Sequence, residues 1–362
     1  MKLFFLYLLA VGLLISCDGS KFYSVDFTRK IDTLEKNDTL FYNGVIKNNA
    51  EIRNILCTEK YLIVVQNDND TIFRIIDVKC DSIVANFGQI GHASNEFSQV
   101  PFFYYISNDE EGNELLCVQE IDRTKVIDIE KTILEGKCII KKTILEKESP
   151  TTHSCYYFGK NEKIVNKTIT SPDVRELTRE KPIYTYYNGQ KEEKKWEIYP
   201  ELVKTDNPNL LNLFYTDRFF VKNDGTKALS MMKFIDYFTI FDLKSFKTLG
   251  IINCQSYDFD WLNNEITSEN LTKKLIIYNL SAYVNNENII LLKDYRLYKE
   301  MFESTDDAYY SHISIFNWDG EFRYSYIMDR SLWDIAYIKS VNTLYGVSLN
   351  LDKIYKYKLK LN

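Results

Sequence analysis

The sequence predicts an all-β protein folded as a six-bladed β-propeller, and three observations support this prediction. The composition favours strands, because 27 Tyr, 22 Phe and an aromatic content of 15% suit a pleated, half-buried surface. From about residue 51 the chain alternates short apolar strands with turns of Asn, Asp, Gly and Lys, without a convincing helical period before residue 260. These strands group into about six four-stranded units, and a closed ring of such units leaves no free sheet edge.

The units follow one another along the chain at 52–87, 102–145, 154–199, 214–252, 277–327 and 333–359. Strands with clear turns between them are predicted, in order, at Tyr61–Val65, Thr71–Val78, Ser82–Phe87, Glu114–Gln119, Thr124–Ile129, Cys138–Leu145, Arg218–Lys222, Ala228–Lys233, Tyr237–Leu243 and Phe246–Ile252.

The last unit needs a strand from another part of the chain. It shows only three strands, at Asp334–Lys339, Thr343–Ser348 and Lys353–Leu359. A strand near the N terminus, within Phe22–Arg29 or at Ile31–Leu34, would supply the fourth and close the ring. A pair of β-sandwich domains is the alternative architecture.

The first residues have the pattern of an export signal. Lys2 gives a short positive region, and the apolar run Leu3–Ile15 is too short to span a membrane. The segment Leu14-Ile15-Ser16-Cys17 resembles the lipobox of bacterial lipoproteins, in which the cysteine is lipidated and begins the mature chain. The resemblance implies that Cys17 anchors the protein to the inner or outer membrane of the cell envelope. An ordinary secretory signal with an incidental Cys17 is the alternative.

We therefore expect three regions. Residues 1–16 form the lipoprotein signal peptide, 17–50 the lipidated N terminus, tether and closing strand, and 51–362 the propeller.

A glycine-containing loop follows the first unit, with the sequence Phe87-Gly88-Gln89-Ile90-Gly91-His92-Ala93-Ser94-Asn95-Glu96-Phe97. It resembles the Gly-rich loop ending in Glu-Phe of the TolB-like six-bladed propeller lipoproteins of Bacteroides-type bacteria. The resemblance implies a six-bladed fold, export and lipid anchoring. Gly88 and Gly91 precede no βαβ unit, so the residues themselves favour an inter-blade connection with positive φ over a phosphate-binding loop.

Six cysteines remain after Cys17, and no two form a CxxC pair. An exported protein permits disulfides, but the spacings match no zinc pattern. We expect most of these cysteines to be buried free thiols, with Cys57 and Cys80 as the pair most able to form a disulfide.

No metal or cofactor is expected. The three histidines, His92, His153 and His312, are interpreted as independent surface or core residues. The acidic stretches Asp68–Asp70 and Asp306–Asp307 are interpreted as turn residues, because neither has the glycine and terminal glutamate of an EF-hand loop.

The charge balance argues against duplex nucleic acid as a partner. Lys and Arg number 45 against 51 Asp and Glu, a net charge of −6, so there is no basic surplus to neutralise phosphates. We expect a monomeric propeller.

Connection lengths predict which face binds a ligand. If each blade runs from strand A outward to strand D, the A–B and C–D turns lie on one face and the B–C and D–A connections on the other. The long segments 171–181, 200–213, 253–274 and 295–310 all fall in the second group, and long loops of this kind are usually functional. The candidate ligand-binding residues on this long-loop face are Tyr257, Asp258, Phe259, Asp260, Trp261, Tyr295, Tyr298, Tyr309 and Tyr310.

These features favour an extracytoplasmic binding module for a glycan, a peptide or an envelope protein partner. A propeller hydrolase or lyase that uses carboxylates in an aromatic-lined pocket on the long-loop face is the alternative. Four Asp-Thr/Ser-aliphatic tripeptides match the O-glycosylation acceptor pattern of Bacteroides-type periplasms, which makes Thr33, Thr39, Thr71 and Ser82 candidate acceptors.

Overall fold

The computed structural model describes residues 22–23, 27–31, 37–68, 70–101, 103–120, 122–145, 153–158, 162–167, 183–196, 215–253, 273–303, 305, 307 and 310–361. These residues form six sheets, and successive sheets are the six blades of the predicted propeller.

Within each blade the strands pair as an antiparallel meander, from the first strand (A) to the last (D). Blade 1 consists of β5 (Ile52–Cys57), β6 (Tyr61–Gln66), β7 (Phe73–Asp77) and β8 (Ser82–Phe87). Blade 2 consists of β9 (Phe103–Asn108), β10 (Glu114–Gln119), β11 (Arg123–Asp128) and β12 (Ile140–Leu145). Blade 3 consists of β13 (His153–Phe158), β14 (Glu162–Lys167), β15 (Ile183–Asn188) and β16 (Lys191–Trp196).

The remaining blades repeat the pattern. Blade 4 consists of β17 (Asp217–Val221), β18 (Lys227–Met232), β19 (Tyr237–Asp242) and β20 (Thr248–Asn253). Blade 5 consists of β21 (Asn279–Val284), β22 (Asn288–Lys293), β23 (His312–Asn317) and β24 (Phe322–Met328). Blade 6 has β25 (Leu332–Ile338), β26 (Thr343–Ser348) and β27 (Lys353–Lys358) from the C-terminal end of the chain.

The ring is closed by the N-terminal region, as predicted, but by a different segment from the two that were proposed. The closing strand is β4 (Gly44–Lys47), which pairs antiparallel with β27. The earlier strands β1 (Phe22–Tyr23), β2 (Phe27–Ile31) and β3 (Asn37–Leu40) add parallel fifth strands to the outer edges of blades 3, 4 and 5. The predicted segments were wrong because this region passes three outer blade edges before it reaches blade 6.

The hydrophobic core lies between neighbouring blades. Ile63 and Phe73 of blade 1 pack with Leu116 and Ile127 of blade 2, and similar clusters join blade 6 to blade 1 and blade 4 to blade 5. Second strands such as β6 are buried on both faces, which explains why they read as continuous apolar runs.

Two short α-helices interrupt the strands in the described part of the chain, α1 (Ile129–Glu135) and α2 (Tyr298–Glu303). The sequence pattern had indicated no helix before residue 260, so α1 is a correction. Asp128 caps its N terminus by accepting a hydrogen bond from the Lys131 N–H, and Gly136 ends it in the left-handed conformation. Among the described residues no helix is long and apolar enough to cross a membrane.

The glycine-containing loop is an inter-blade connection between β8 and β9, as its residues suggested. Gly88 has a φ of +89°, and Phe97 is fully buried against Phe73 with ring centroids 5.7 Å apart. The Glu96 carboxylate folds back over Gly91 and accepts a hydrogen bond of 2.8 Å from the Ala93 N–H. Gly91 therefore has to lack a β-carbon so that the Glu96 carboxylate can lie close to its backbone. Of the two glycines, only Gly88 has a positive φ.

The five described cysteines are free thiols, so the predicted pairing of Cys57 with Cys80 is wrong. Cys57 lies in the first strand of blade 1, whereas Cys80 lies in the turn between its third and fourth strands. Two intervening strands separate positions that a disulfide would have to bring within about 7 Å. Cys117 and Cys138 are buried, and burial raises the pKa of their thiols to about 12 and about 11.

Candidate functional site

The first strands of the blades surround a central cavity. β21 contacts β25, β25 contacts β5 and β5 contacts β9, which identifies the first strand as the innermost strand of each blade. The cavity has a volume of about 300 Å³ and is lined by residues from the first strands of all six blades. Its position on the propeller axis makes it the candidate ligand site of the fold.

One wall of this cavity is aromatic and comes from blades 2, 3 and 4. Phe103, Tyr105, Tyr156 and Phe219 line it as a continuous series. The ring centroids are 4.5 Å apart for Phe103 and Tyr156, and 4.9 Å apart for Tyr156 and Phe219. Rigid rings of this kind give a ligand contact area at little entropy cost.

The opposite wall comes from blades 5, 6 and 1 and has mostly aliphatic or small side chains. Ile55, Ala282, Ile335 and Ala336 line it, with Tyr283 as its aromatic member. The cavity is therefore asymmetric, and a flat apolar ring face would be accommodated against the aromatic wall.

A buried polar network joins blades 4, 5, 6 and 1 beside the cavity. Asp334 accepts hydrogen bonds from the Ile55 N–H at 2.9 Å and from the Ser281 hydroxyl. The Arg218 Nη1 lies 4.0 Å from Asp334 Oδ1 and donates to the Leu280 carbonyl at 3.1 Å. Burial raises the pKa of Asp334, although the Arg218 charge opposes this shift. The Arg218 side chain is 40% exposed, so the cavity has a cationic group at its surface.

Asp217, the neighbour of Arg218, also lines the cavity but is held by the protein. It accepts hydrogen bonds from the Tyr184 hydroxyl and, at 2.6 Å, from the Ser230 hydroxyl. Asp217 and Asp334, the two carboxylates found beside the cavity among the described residues, thus each accept at least two hydrogen bonds from protein groups.

Lys233 lies at the long-loop end of the same region. It follows β18, and its N–H donates to the Thr216 carbonyl at 2.9 Å. The Lys233 ammonium is 5.2 Å from the Phe234 ring centroid and 5.3 Å from that of Tyr298. In the described part of the chain it has no acidic partner, and burial together with the nearby Arg218 charge lowers its pKa to about 8.

Three of the predicted ligand-binding residues lie around this end. Tyr298 begins α2 and packs against Phe234, with centroids 5.8 Å apart. Tyr295 contacts His312 edge to face at 5.3 Å, and Tyr310 is 49% exposed with the Arg296 guanidinium 5.0 Å from its ring. None of the three lines the central cavity itself.

The other predicted ligand-binding residues, Tyr257, Asp258, Phe259, Asp260, Trp261 and Tyr309, lie outside the described residues. Most of the long segments also lie outside the described residues. The described strands on either side of each segment are the B and C strands of one blade, or the D strand of one blade and the A strand of the next, as predicted. The connection between β11 and β12 is an unpredicted exception on the opposite face, because it is lengthened by α1.

The other residues singled out in the sequence are the histidines, the glycosylation candidates and Cys17. Burial lowers the pKa of the half-buried His312, and no group of three metal-ligating side chains converges among the described residues. Thr39 and Ser82 are exposed and Thr71 is half-buried, so glycosylation at these positions stays a prediction. Cys17 and Thr33 lie outside the described residues.

The aromatic wall and the Arg218–Asp334 network were missed by sequence reasoning. A signal was present, because first strands of successive units contain adjacent aromatics at Phe103-Tyr104-Tyr105, Tyr156-Tyr157-Phe158 and Phe219-Phe220. Adjacent aromatics in an innermost strand border the channel, and this pattern could have identified the wall.

No protein-family model matches the chain. No curated protein sequence matches it either.

Solved structures show the same fold. A member of the duf4221 family from Bacteroides vulgatus ATCC 8482 is similar with a TM-score of 0.52 and 12% identity, over 90% of this chain and 99% of that chain. A Bacteroides fragilis NCTC 9343 protein described as exported is similar with a TM-score of 0.50 and 11% identity, over 94% of this chain and 100% of that chain. At these identities the similarity supports the fold alone.

Proposed function

We propose that this propeller is an exported, lipid-anchored binding module that takes a small ligand into its central channel. The proposal rests on the cavity of about 300 Å³ between the aromatic and aliphatic walls. This volume is at the lower end of small-ligand sites, which favours a sugar or a short peptide over a folded protein partner.

Export and anchoring rest on the N-terminal sequence. The Leu14–Cys17 lipobox supports lipidation, and the described export of the Bacteroides fragilis protein with the same fold is consistent with an extracytoplasmic location. Membership of the TolB-like lipoproteins is part of this proposal and rests on the loop from Phe87 to Phe97.

Binding is better supported than hydrolysis. In the part of the chain that the structure describes, Asp217 and Asp334 are the carboxylates beside the cavity, and both are engaged in hydrogen bonds that hold neighbouring blades together. A glycosidase needs two carboxyl groups that face the substrate from either side of the scissile bond. The acids that the hydrolase alternative relied on, Asp258 and Asp260, are outside the described residues.

Channel-blocking variants test the proposal. Val221→Trp and Val284→Trp fill the cavity from the neighbouring blades 4 and 5, and Val45→Trp adds the same ring on the exposed β4 strand as a matched control. Small saccharides and di- and tripeptides are screened by thermal shift, and those that bind are titrated by calorimetry. We expect a ligand that binds the wild type and Val45→Trp but neither blocked variant. A ligand that binds the blocked variants with unchanged affinity would show that the channel is not the site.

A further inference from the structure

The strand register places two cationic side chains on one face of blade 4. Arg218 of β17 lies opposite Met231 of β18, and Lys233 follows two residues after Met231. Residues two apart in a strand share a face, so Arg218 and Lys233 are diagonal neighbours. Both side chains extend towards blade 5, where Arg218 reaches the Leu280 carbonyl and Lys233 reaches the Tyr298 ring.

The two positive charges of this pair are only partly compensated by the surrounding described residues. Arg218 has Asp334 as an ion-pair partner at 4.0 Å, and Asp334 also accepts hydrogen bonds from Ser281 and Ile55, so the uncompensated charge of the pair is that of Lys233. The nearest other acid on this blade connection, Asp236, forms a buried ion pair with Lys293. Lys233 faces two aromatic rings instead of a carboxylate. A partly desolvated ammonium without a counter-ion costs folding free energy, and a bound anion would offset that cost.

We propose that the long-loop end of the channel recognises the carboxylate of an acidic sugar, with Lys233 and Arg218 as its cationic partners. The inference rests on the proposed binding function and specifies the ligand class. Arg218 offers N–H donors at the cavity surface, while Lys233 provides a point charge beside the Tyr298 ring. The sugar ring would then lie against the aromatic wall, in which Phe103 and Tyr105 are partly exposed while Tyr156 and Phe219 are buried.

The test uses a pair of probes that differ only in the carboxylate, methyl β-glucuronide and methyl β-glucoside. Each is titrated by calorimetry into the wild type, Lys233→Met, Lys233→Arg and the control Lys142→Met. Methionine keeps the packing between the rings and removes the charge, and Lys142 is an exposed lysine on the outer strand of blade 2.

We expect the glucuronide to bind the wild type at least about tenfold more tightly than the glucoside, an advantage that Lys233→Met abolishes. Lys233→Arg and Lys142→Met should retain it. Equal affinities for the two probes, no binding of the glucuronide, or an unchanged advantage in Lys233→Met would overturn the inference. A different ligand could still bind the wild type and fail to bind Val221→Trp and Val284→Trp. That result would support the proposed binding function and reject only the acidic sugar as its ligand.

Discussion

At the scale of single residues, Lys233 lies at the proposed site, and its partly buried charge lowers the stability of the folded protein. Its ammonium is half-buried near Phe234, Tyr298 and the Arg218 guanidinium, and its pKa is lowered from 10.5 to about 8. The unfolded chain therefore binds more protons than the folded one between these two pH values. Stability should rise with pH across this window, and the penalty is present in full below pH 8.

Lys233→Met should consequently stabilise the protein at neutral pH. The gain should be largest below pH 8 and should disappear above about pH 10.5, where the lysine is neutral in both states. Urea unfolding at a series of pH values measures this, with Lys142→Met as the control that shows no such trend. A Lys233→Met variant that is less stable than the wild type at pH 7 would mean that the charge has a structural partner.

Gly91 gives a second prediction at this scale. A β-carbon there would collide with the Glu96 carboxylate and displace it from the Ala93 N–H. Gly91→Ala should destabilise the protein by about 1 kcal/mol, the usual net value of a lost hydrogen bond. In a Glu96→Ala background the same substitution should cost much less, and equal costs in both backgrounds would show that the collision is not the cause.

At the scale of elements, the N-terminal strands have different roles. β4 supplies the fourth strand of blade 6, and Ile46 packs into the core between blades 6 and 1. β1 and β2 only extend the outer edges of blades 3 and 4. Removal of residues 1–36 should therefore be tolerated far better than removal of 1–47.

Thermal and urea unfolding of the two deletions measure this difference. The longer deletion exposes the edge of β27 and loses the burial of Ile46, so we expect at least ~2 kcal/mol of additional destabilisation and a tendency to aggregate. Equal stability of the two deletions would contradict the closing role of β4.

Many of the strands were predictable from the sequence. Ser82–Phe87, Glu114–Gln119 and Thr343–Ser348 were predicted to the residue, because each has apolar strand residues bounded by polar turns. The closing strand Gly44–Lys47 was not, since its pairing with β27 joins opposite ends of the chain and leaves no local pattern. The helix α1 was missed although Asp128 and Gly136 are recognisable capping residues.

At the scale of the whole molecule, the ring arrangement determines which features of the site could be predicted from the sequence. Patterns along the chain predicted the blades and the assignment of the long connections to one face. They could not show that Arg218 of blade 4 meets Asp334 of blade 6, because that contact depends on ring closure. The predicted aromatics Tyr295 and Tyr298 lie near the channel end, but the cavity wall is made by first-strand residues.

Anchoring is a property of the whole chain and has its own test. If the lipobox is used, Cys17→Ser should prevent lipidation, because the hydroxyl is a far weaker nucleophile than the thiolate. The variant should leave the membrane fraction or accumulate as an unprocessed precursor. Detergent-phase partitioning identical to that of the wild type would contradict anchoring through Cys17.

Crystallisation of the protein with methyl β-glucuronide would show whether the channel binds an acidic sugar. We predict the sugar ring in the channel against the aromatic wall, with its carboxylate within hydrogen-bond distance of both Lys233 and Arg218. Density for the sugar on the short-turn face, or on the outer surface of the blades with an empty channel, would contradict the account.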